Sequence, residues 1–363
     1  MSIVPNRTVR LAFRTCVLFI CTASLAACGV KGAYESEADA ALRNDIKNAA
    51  DLQDPRSFEG VSEVKDFTDV EPVTKNPSPK LPVELTDADG HDVKVNKLDR
   101  ILALDLYGTY TKTLTGLGLA DRIVGRTVSS TENILADRPV VTQGGHNINV
   151  EAVLSLEPDI VIVDHSIGPR DAIDQIRQAG VTTVVMEPTR TIDSVAEDIT
   201  TLGAVVGLPE DAEKLADRTV EEIDLDKETI KKMVPSTPMR VAFLYARGNG
   251  GVFFIMGEGT GAKDLIEGVG AVDVGTENNL SYIEPANAES LARLNPDAFI
   301  MMTGGLESTG GIEGLLKRPG IAQTTAGQKR RVITIPDGQS LAFGPMTGQT
   351  LLRTAKALYD PHG

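Results

Sequence analysis

The chain has 363 residues, a hydrophobic content of 41% and a formal net charge of −15 at pH 7. This length and composition allow hydrophobic cores in two domains. The acidic balance disfavours a nucleic-acid partner, because binding to phosphates requires an excess of lysine and arginine.

Residues 1–27 have the pattern of a signal peptide, because three arginines precede an apolar segment at residues 16–21 that is followed by small residues. Leu-Ala-Ala-Cys at residues 25–28 resembles the lipobox of bacterial lipoproteins and makes Cys28 the predicted lipidation site. The alternative is an ordinary secretory signal with a stray cysteine. Loss of the segment removes the other two cysteines, which excludes an internal disulfide bond, and changes the formal charge from −15 to −18. The sequence therefore predicts a lipid anchor in the cell membrane, with the protein on the extracytoplasmic face.

Residues 28–80 are predicted to form the lipid anchor and a disordered acidic tether. The segment has no sustained hydrophobic period, is rich in Asp, Glu, Ala and Ser, and ends in several prolines. A short helix around residues 38–52 fits the pattern, but the segment has too little apolar surface to form a domain.

An N-terminal α/β lobe is predicted over residues 81–207. Two alternating segments flank an Asp-Gly turn at residues 89–90 and predict a β-hairpin. Strands and helices then alternate, which predicts a mostly parallel sheet. The predicted strands lie at residues 100–105, 123–124, 159–163 and 183–186, and the predicted helices at residues 109–116, 149–156, 169–179 and 192–206.

A long connecting helix is predicted within residues 208–235. It begins with Pro209 and acidic residues, ends with lysines, and is followed by Pro235. About 25 residues at a rise of 1.5 Å would give a length of roughly 37 Å. Its predicted stripe of apolar and small residues consists of Ala212, Leu215, Ala216, Thr219, Ile223 and Ile230.

A C-terminal α/β lobe is predicted over residues 236–363, because residues 287–297 repeat the pattern of residues 149–159. Each copy begins with Asn, places Glu two positions later and ends in Leu-x-Pro-Asp, which predicts a capped helix, a turn and a buried strand. Two such lobes predict a ligand cleft between them. The other predicted strands lie at residues 240–245, 252–256 and 331–335, and the other predicted helices at residues 262–267, 312–316 and 347–359.

Candidate ligand residues follow the strands, because open α/β sheets bind ligands beyond the carboxyl ends of their strands. Tyr245 and Arg247 are two positions apart in an extended segment and should face the cleft together. A guanidinium beside a phenol favours the phenolate, which is a hard ligand for ferric iron. The other interpretation of this pair is that both residues lie at the rim of the lobe without a ligand.

The histidines offer a second candidate ligand. His146 lies in a Gly-Gly-His-Asn loop directly before the first repeated helix, where glycines allow the backbone to approach a bulky ligand. His165 also follows a predicted strand, so topology alone leaves both residues open. Most single histidines on loops are exposed or bound to the backbone rather than to a metal.

The lipidated cysteine, the tether and two α/β lobes joined by one helix resemble the substrate-binding lipoproteins of ABC importers for iron complexes and corrinoids. The resemblance covers roughly residues 81–360. It implies a class III substrate-binding protein, with two Rossmann-like lobes, a single long α-helix between them and the ligand in the inter-lobe cleft. It also implies that Glu151 and Glu289, one on each lobe, dock on arginines of the membrane permease.

The combination of His146, Tyr245, Arg247 and Tyr282 is similar to the hemin-binding lipoproteins of Gram-positive hemin importers, the HmuT family. The resemblance implies ferric heme as the transported ligand, with His146 and Tyr245 as axial ligands of its iron. It implies that Arg247 hydrogen-bonds the ligating tyrosine and that Tyr282 assists. It further implies an ABC permease with its ATPase, and an upstream heme donor, as partners.

Three alternatives compete with this interpretation, and the simplest is a purely structural lipoprotein without a ligand. A binder of ferric siderophores or corrinoids would have the same fold and would need no axial protein ligand. A nucleotide-dependent transferase could also have two α/β lobes, but the string at residues 257–264 breaks the Walker pattern because alanine precedes its lysine and aspartate follows it. The sequence therefore predicts a carrier and not an enzyme.

Overall fold

The computed structural model describes residues 37–48, 52–248 and 250–362, so the predicted signal peptide and Cys28 lie outside the described residues. Within these ranges, no helix is both long enough and apolar enough to cross a membrane.

The segment at residues 37–80, which we call the N-terminal arm, is folded onto the rest of the chain. It contains α1, Glu37–Asn48, and β1, Val61–Glu63. Arg43 on α1 forms a buried ion pair of 2.6 Å with Asp226. The prediction of a disordered tether is wrong for the described part of this segment, because its stability comes from contacts with distant residues and not from its own hydrophobic pattern.

The N-terminal arm also reaches the N-terminal lobe. The carboxylate of Asp69 accepts hydrogen bonds from the backbone N–H groups of Asn133 and Ile134 at 2.8 and 2.9 Å. Further along, the N–H of Lys80 donates to the carbonyl of Gly207 at 2.8 Å. Because β1 pairs with residues 332–334 of the C-terminal lobe, the arm contacts both lobes.

The N-terminal lobe has a four-stranded parallel sheet in the order β5-β4-β8-β9, and the predicted hairpin, β2 with β3, is antiparallel. The strands β4 and β8 are fully buried, as their apolar runs predict. The strands are β2 Val83–Thr86, β3 Asp92–Val95, β4 Ile101–Leu104, β5 Ile123–Gly125, β6 Thr142–Gln143, β7 Asn147–Ile148, β8 Ile160–Asp164 and β9 Thr182–Met186. The helices are α2 Thr109–Gly116, α3 Val150–Ser155, α4 Arg170–Gln178 and α5 Val195–Val205.

The predicted connecting helix is present as α6, Pro209–Ile230, with 22 residues. Every member of the predicted stripe is buried, and Asp226 and Thr229 are buried beside it. The main hydrophobic cluster continues from the N-terminal lobe through α6 into the C-terminal lobe. The helix therefore packs between the lobes along its apolar face.

The C-terminal lobe has a seven-stranded mixed sheet in the order β1-β15-β14-β10-β11-β13, with β12 also paired to β10. The strands are β10 Arg240–Arg247, β11 Val252–Met256, β12 Val272–Asp273, β13 Ile283–Pro285, β14 Ala298–Met302 and β15 Val332–Ile335. The helices are α7 Ala262–Gly268, α8 Val274–Glu277, α9 Ala288–Leu294, α10 Thr303–Ser308, α11 Gly311–Leu316, α12 Thr325–Gln328, α13 Asp337–Ser340 and α14 Thr347–Tyr359.

The expectation of a mostly parallel sheet holds for the N-terminal lobe and for β10, β14 and β15, but β11 pairs antiparallel with both of its neighbours. The short loop between β10 and β11 explains this departure, since only antiparallel strands can be joined without a crossover.

The repeated sequence forms the same local structure in both lobes. Asn149 caps α3 and Asn287 caps α9, each through its side-chain oxygen. The repeated aspartates each accept a hydrogen bond at the start of a neighbouring strand, Asp159 from the N–H of Arg100 next to β4 and Asp297 from the N–H of Arg240 in β10. The repeat is therefore a structural unit that joins a capped helix to two neighbouring strands.

Candidate ligand site between the lobes

Tyr245 and Arg247 lie at the carboxyl end of β10, in the middle of the larger sheet. The guanidinium carbon of Arg247 lies 4.9 Å from the centre of the Tyr245 ring. This confirms that the two side chains share one face of the strand, and the geometry is that of a cation–π contact.

The guanidinium of Arg247 is held by neighbours from two other strands. It donates to the carboxylate of Asp337 at 2.6 Å and to the sulfur of Met302 at 3.3 Å. Met302 ends β14 and Asp337 follows β15, so the carboxyl ends of three parallel strands meet here. In this conformation Arg247 approaches Tyr245 over the ring, and its strongest partner is Asp337.

His146 lies in the turn between β6 and β7, and its side chain is exposed. Gly144 and Gly145 have φ angles of 58° and 89°, which explains why glycine precedes the histidine. The carbonyl of His146 accepts a hydrogen bond of 3.0 Å from the N–H of Gly168. This bond fixes the backbone and leaves the imidazole available to a ligand.

His165 differs from His146 because its side chain has a partner within the protein. Its Nε2 lies 2.8 Å from a carboxylate oxygen of Asp89, in the turn of the β2–β3 hairpin. The structure thereby assigns His165 a structural contact that the sequence left open, and His146 remains the free candidate of the pair.

Tyr282 has an unusual backbone conformation for a large side chain, with a φ of 63°. Its N–H donates to the carbonyl of Glu258 at 2.8 Å, and its own carbonyl accepts from Gly257 at 2.6 Å. The side chain is 63% exposed. A strained position that presents an exposed aromatic ring is typical of a functional site.

Tyr107 of the N-terminal lobe lies near Tyr282 of the C-terminal lobe. Burial is the main cause that raises the pKa of Tyr107, and the neighbouring phenol of Tyr282 raises it further. Two residues after Tyr107, Thr109 packs against the C-terminal lobe, because a Cβ added at Gly344 would lie 3.0 Å from its methyl carbon. Tyr107 therefore lies near the boundary between the lobes, although the sequence analysis did not single it out.

Buried charges lie beneath Tyr107 at the carboxyl ends of β4 and β8. The hydroxyl of Tyr110 donates to Asp164 at 2.6 Å, and Arg190 forms an ion pair with the same carboxylate. Asp105 is fully buried, and this burial raises its pKa to about 6 against the opposing charge of Arg190. The network holds the segment after β9 against the carboxyl ends of β4 and β8.

Glu151 and Glu289 lie in the first turns of α3 and α9, as the repeat predicts. Both side chains are exposed. Equivalent carboxylates on the two lobes are therefore accessible to a partner. Among the residues that the structure describes, no group of three or more His, Cys, Asp or Glu side chains is arranged to hold a metal ion.

The comparisons with known proteins agree with this architecture. The family model described as periplasmic binding protein matches residues 105–338. The uncharacterized ABC transporter substrate-binding lipoprotein YvrC of Bacillus subtilis is 26% identical over 284 residues, which cover 77% of this chain and 86% of that protein.

Solved structures give closer matches. The heme binding protein HmuT is 60% identical, with a TM-score of 0.83, over 85% of this chain and 100% of that chain. Variants of HmuT in which one arginine, one histidine or one tyrosine is replaced by alanine also match, at 58 to 60% identity. The periplasmic heme-binding protein RhuT from Roseiflexus sp. RS-1 is 31% identical, with a TM-score of 0.66, over 73% of this chain and 99% of that chain.

These matches confirm the class III fold expected from the sequence, with two α/β lobes and one connecting helix. The chain belongs to the periplasmic binding protein family and, within that family, to the HmuT group.

Proposed function

We propose that this chain binds hemin between its N-terminal lobe, residues 81–207, and its C-terminal lobe, residues 236–363, and delivers it to an ABC permease. The observation that carries the proposal is the Tyr245–Arg247 pair at the carboxyl end of β10, in a chain 60% identical to a heme binding protein. The protein would act as a carrier outside the cytoplasm and not as an enzyme.

In the proposed complex, the phenolate of Tyr245 and the imidazole of His146 bind the iron from opposite lobes. A tyrosinate ligand favours ferric over ferrous iron. The HmuT variants support this assignment, because the replaced histidine, tyrosine and arginine each carry a number five lower than His146, Tyr245 and Arg247.

A hemin titration followed by absorbance tests the axial ligands. We expect wild-type protein to give a shifted Soret band, and we expect both Tyr245→Ala and His146→Ala to change the Soret and charge-transfer bands. His91→Ala serves as the control, since His91 is exposed next to the turn of the β2–β3 hairpin. An unchanged spectrum in either ligand variant would remove that residue from the iron.

The same titration separates hemin from other iron complexes and corrinoids. A ferric siderophore or a corrinoid already fills the coordination sphere of its metal, so the Tyr245 and His146 variants should then bind like wild type. If hemin gives no spectral shift with wild-type protein while cyanocobalamin or a ferric siderophore binds, the alternative ligand class is correct.

We also propose that lipid on Cys28 holds the protein at the extracytoplasmic face of the membrane. The support is the Leu-Ala-Ala-Cys sequence and the similarity to a substrate-binding lipoprotein. A Cys28→Ala variant should lose incorporation of labelled palmitate and leave the membrane fraction. Equal labelling of wild type and variant would contradict the anchor.

The exposed carboxylates of Glu151 and Glu289 are proposed to dock on basic residues of the permease. The double variant Glu151→Arg with Glu289→Arg should bind hemin like wild type but should not support hemin uptake by cells. Glu213→Arg is the matched control, because Glu213 is an exposed carboxylate on α6 outside the repeat. Normal uptake by the double variant would exclude this docking mode.

A further inference from the structure

The two lobes contain the same arrangement of tyrosine, arginine and aspartate. In the C-terminal lobe, Arg247 lies over the Tyr245 ring and pairs with Asp337. In the N-terminal lobe, the guanidinium carbon of Arg190 lies 4.7 Å from the centre of the Tyr107 ring, and Arg190 pairs with Asp164.

The N-terminal arrangement lies where an open α/β sheet binds its ligand. Tyr107 follows the carboxyl end of β4, Asp164 is the last residue of β8, and Arg190 follows β9. These ends meet at one edge of the parallel sheet. Thr109, two residues after Tyr107, packs against the C-terminal lobe, because a Cβ added at Gly344 would lie 3.0 Å from its methyl carbon. Tyr107 therefore lies close to the boundary with that lobe.

The ring of Tyr107 is fixed from below. Asp164 is only 2% exposed, and Tyr110 donates to it at 2.6 Å, so the carboxylate that holds Arg190 is itself held. Arg190 has a φ of 54°, and its N–H donates to Asp198 at 3.2 Å. The guanidinium that lies over the Tyr107 ring is therefore held in a fixed position. Part of the tyrosine side chain stays exposed.

We propose that Tyr107, supported by Arg190, is the wall of the N-terminal lobe against which the porphyrin plane packs. This inference rests on the proposed function. Tyr107 would contact the flat ring system and not the metal, because Tyr245 and His146 already supply both axial ligands in the proposed complex. Aromatic rings stack on flat conjugated ligands with centre distances of about 4.5–7 Å.

A purely structural role for Tyr107 makes a different prediction. The side chain also packs against the main hydrophobic cluster. A residue that only completes this packing would change the melting temperature on substitution and leave porphyrin affinity unchanged. A wall residue must change affinity for any flat porphyrin, with or without iron.

The test is a titration of wild type, Tyr107→Phe and Tyr107→Ala with hemin and with iron-free protoporphyrin IX, read by absorbance and by fluorescence. We expect Tyr107→Ala to bind both porphyrins about tenfold more weakly, from the usual strength of aromatic stacking, with the Soret position of its hemin complex unchanged. We expect Tyr107→Phe to bind within about twofold of wild type, because the ring is retained. Leu225→Ala, which shortens an exposed apolar side chain on α6, is the control.

Three results would overturn the inference: equal affinity of Tyr107→Ala and wild type, equal losses in Tyr107→Phe and Tyr107→Ala, or a shifted Soret band in Tyr107→Ala. Circular dichroism accompanies each titration, and Tyr107→Leu replaces Tyr107→Ala if the alanine variant does not fold. Failure of wild-type protein to bind hemin would refute the proposed function itself. Hemin binding by wild type together with an unchanged porphyrin affinity of Tyr107→Ala would refute only the role of Tyr107 as a wall.

Discussion

Arg247 donates a hydrogen bond of 2.6 Å to Asp337, and this carboxylate also accepts from the N–H of Gly304 at 2.8 Å. The next residue, Gly338, packs against the N-terminal lobe, since an added Cβ would lie 2.3 Å from the carbonyl oxygen of Ser129. The residue that orients the arginine beside Tyr245 is therefore adjacent to a contact between the lobes.

Replacement of Asp337 should loosen Arg247 without removing its charge. We expect Asp337→Ala to release hemin faster than wild type by a factor on the order of three to ten, because a charged hydrogen bond in a half-exposed position is lost. Transfer of hemin to apomyoglobin, followed by stopped-flow absorbance, measures this rate. Glu313→Ala, which breaks an exposed ion pair with Arg330, should leave the rate unchanged.

Gly338→Ala should disturb the contact between the lobes. The new methyl group would clash with the backbone of Ser129, so one lobe must shift. We expect a lower melting temperature and weaker hemin binding, measured by differential scanning calorimetry and by titration. Gly250→Ala is the control, because no atom lies within 4 Å of the added carbon. Wild-type behaviour of both variants would show that the contact tolerates displacement.

Loss of the buried Arg43–Asp226 pair should destabilise the fold. Removing one partner of such a pair typically costs about 3–5 kcal/mol, because the remaining charge is left without compensation. We therefore expect a large drop in the free energy of unfolding for Arg43→Met in urea, partly restored by adding Asp226→Asn. Lys80→Met, which removes an exposed pair with Glu210, should have little effect. An unchanged free energy of unfolding in Arg43→Met would contradict a stabilising role of the N-terminal arm.

Glu222 should make stability depend on pH. Burial raises the pKa of Glu222 to about 7 from 4.5, although Arg218 and Arg43 oppose this effect. The folded state then binds a proton that the unfolded state has lost between pH 4.5 and 7, so this group lowers stability as pH rises through that window. Melting temperatures at pH 5 and pH 7.5 should therefore differ less in Glu222→Gln than in wild type. The same difference between the two pH values in both proteins would argue against a raised pKa of Glu222.

The sequence predicts the regular elements well where the local pattern is strong. The stripe along α6 is buried as expected, because a 3.6-residue period determines which face of a helix packs. The two-residue spacing of Tyr245 and Arg247 correctly places them on one face, because side chains alternate along a strand.

Other parts of the site depend on tertiary contacts that no local pattern contains. Asp337 and Arg190 belong to short segments after strands, and their roles follow only from the order in which distant strands pair. Tyr107 could have been found, since it follows a predicted strand as Tyr245 ends one. The N-terminal arm was missed because charged side chains such as Arg43 gain their partners only in the folded chain.

β1 lies at the outer edge of the larger sheet and covers the edge of β15. It is only three residues long, and the hydroxyl of its Ser62 accepts a hydrogen bond of 2.6 Å from Arg331. A short strand that ends in a charged residue, here Glu63, offers a poor template for pairing with another extended chain. The N-terminal arm, which follows the proposed lipidation site, thus also protects the larger sheet from edge-to-edge aggregation.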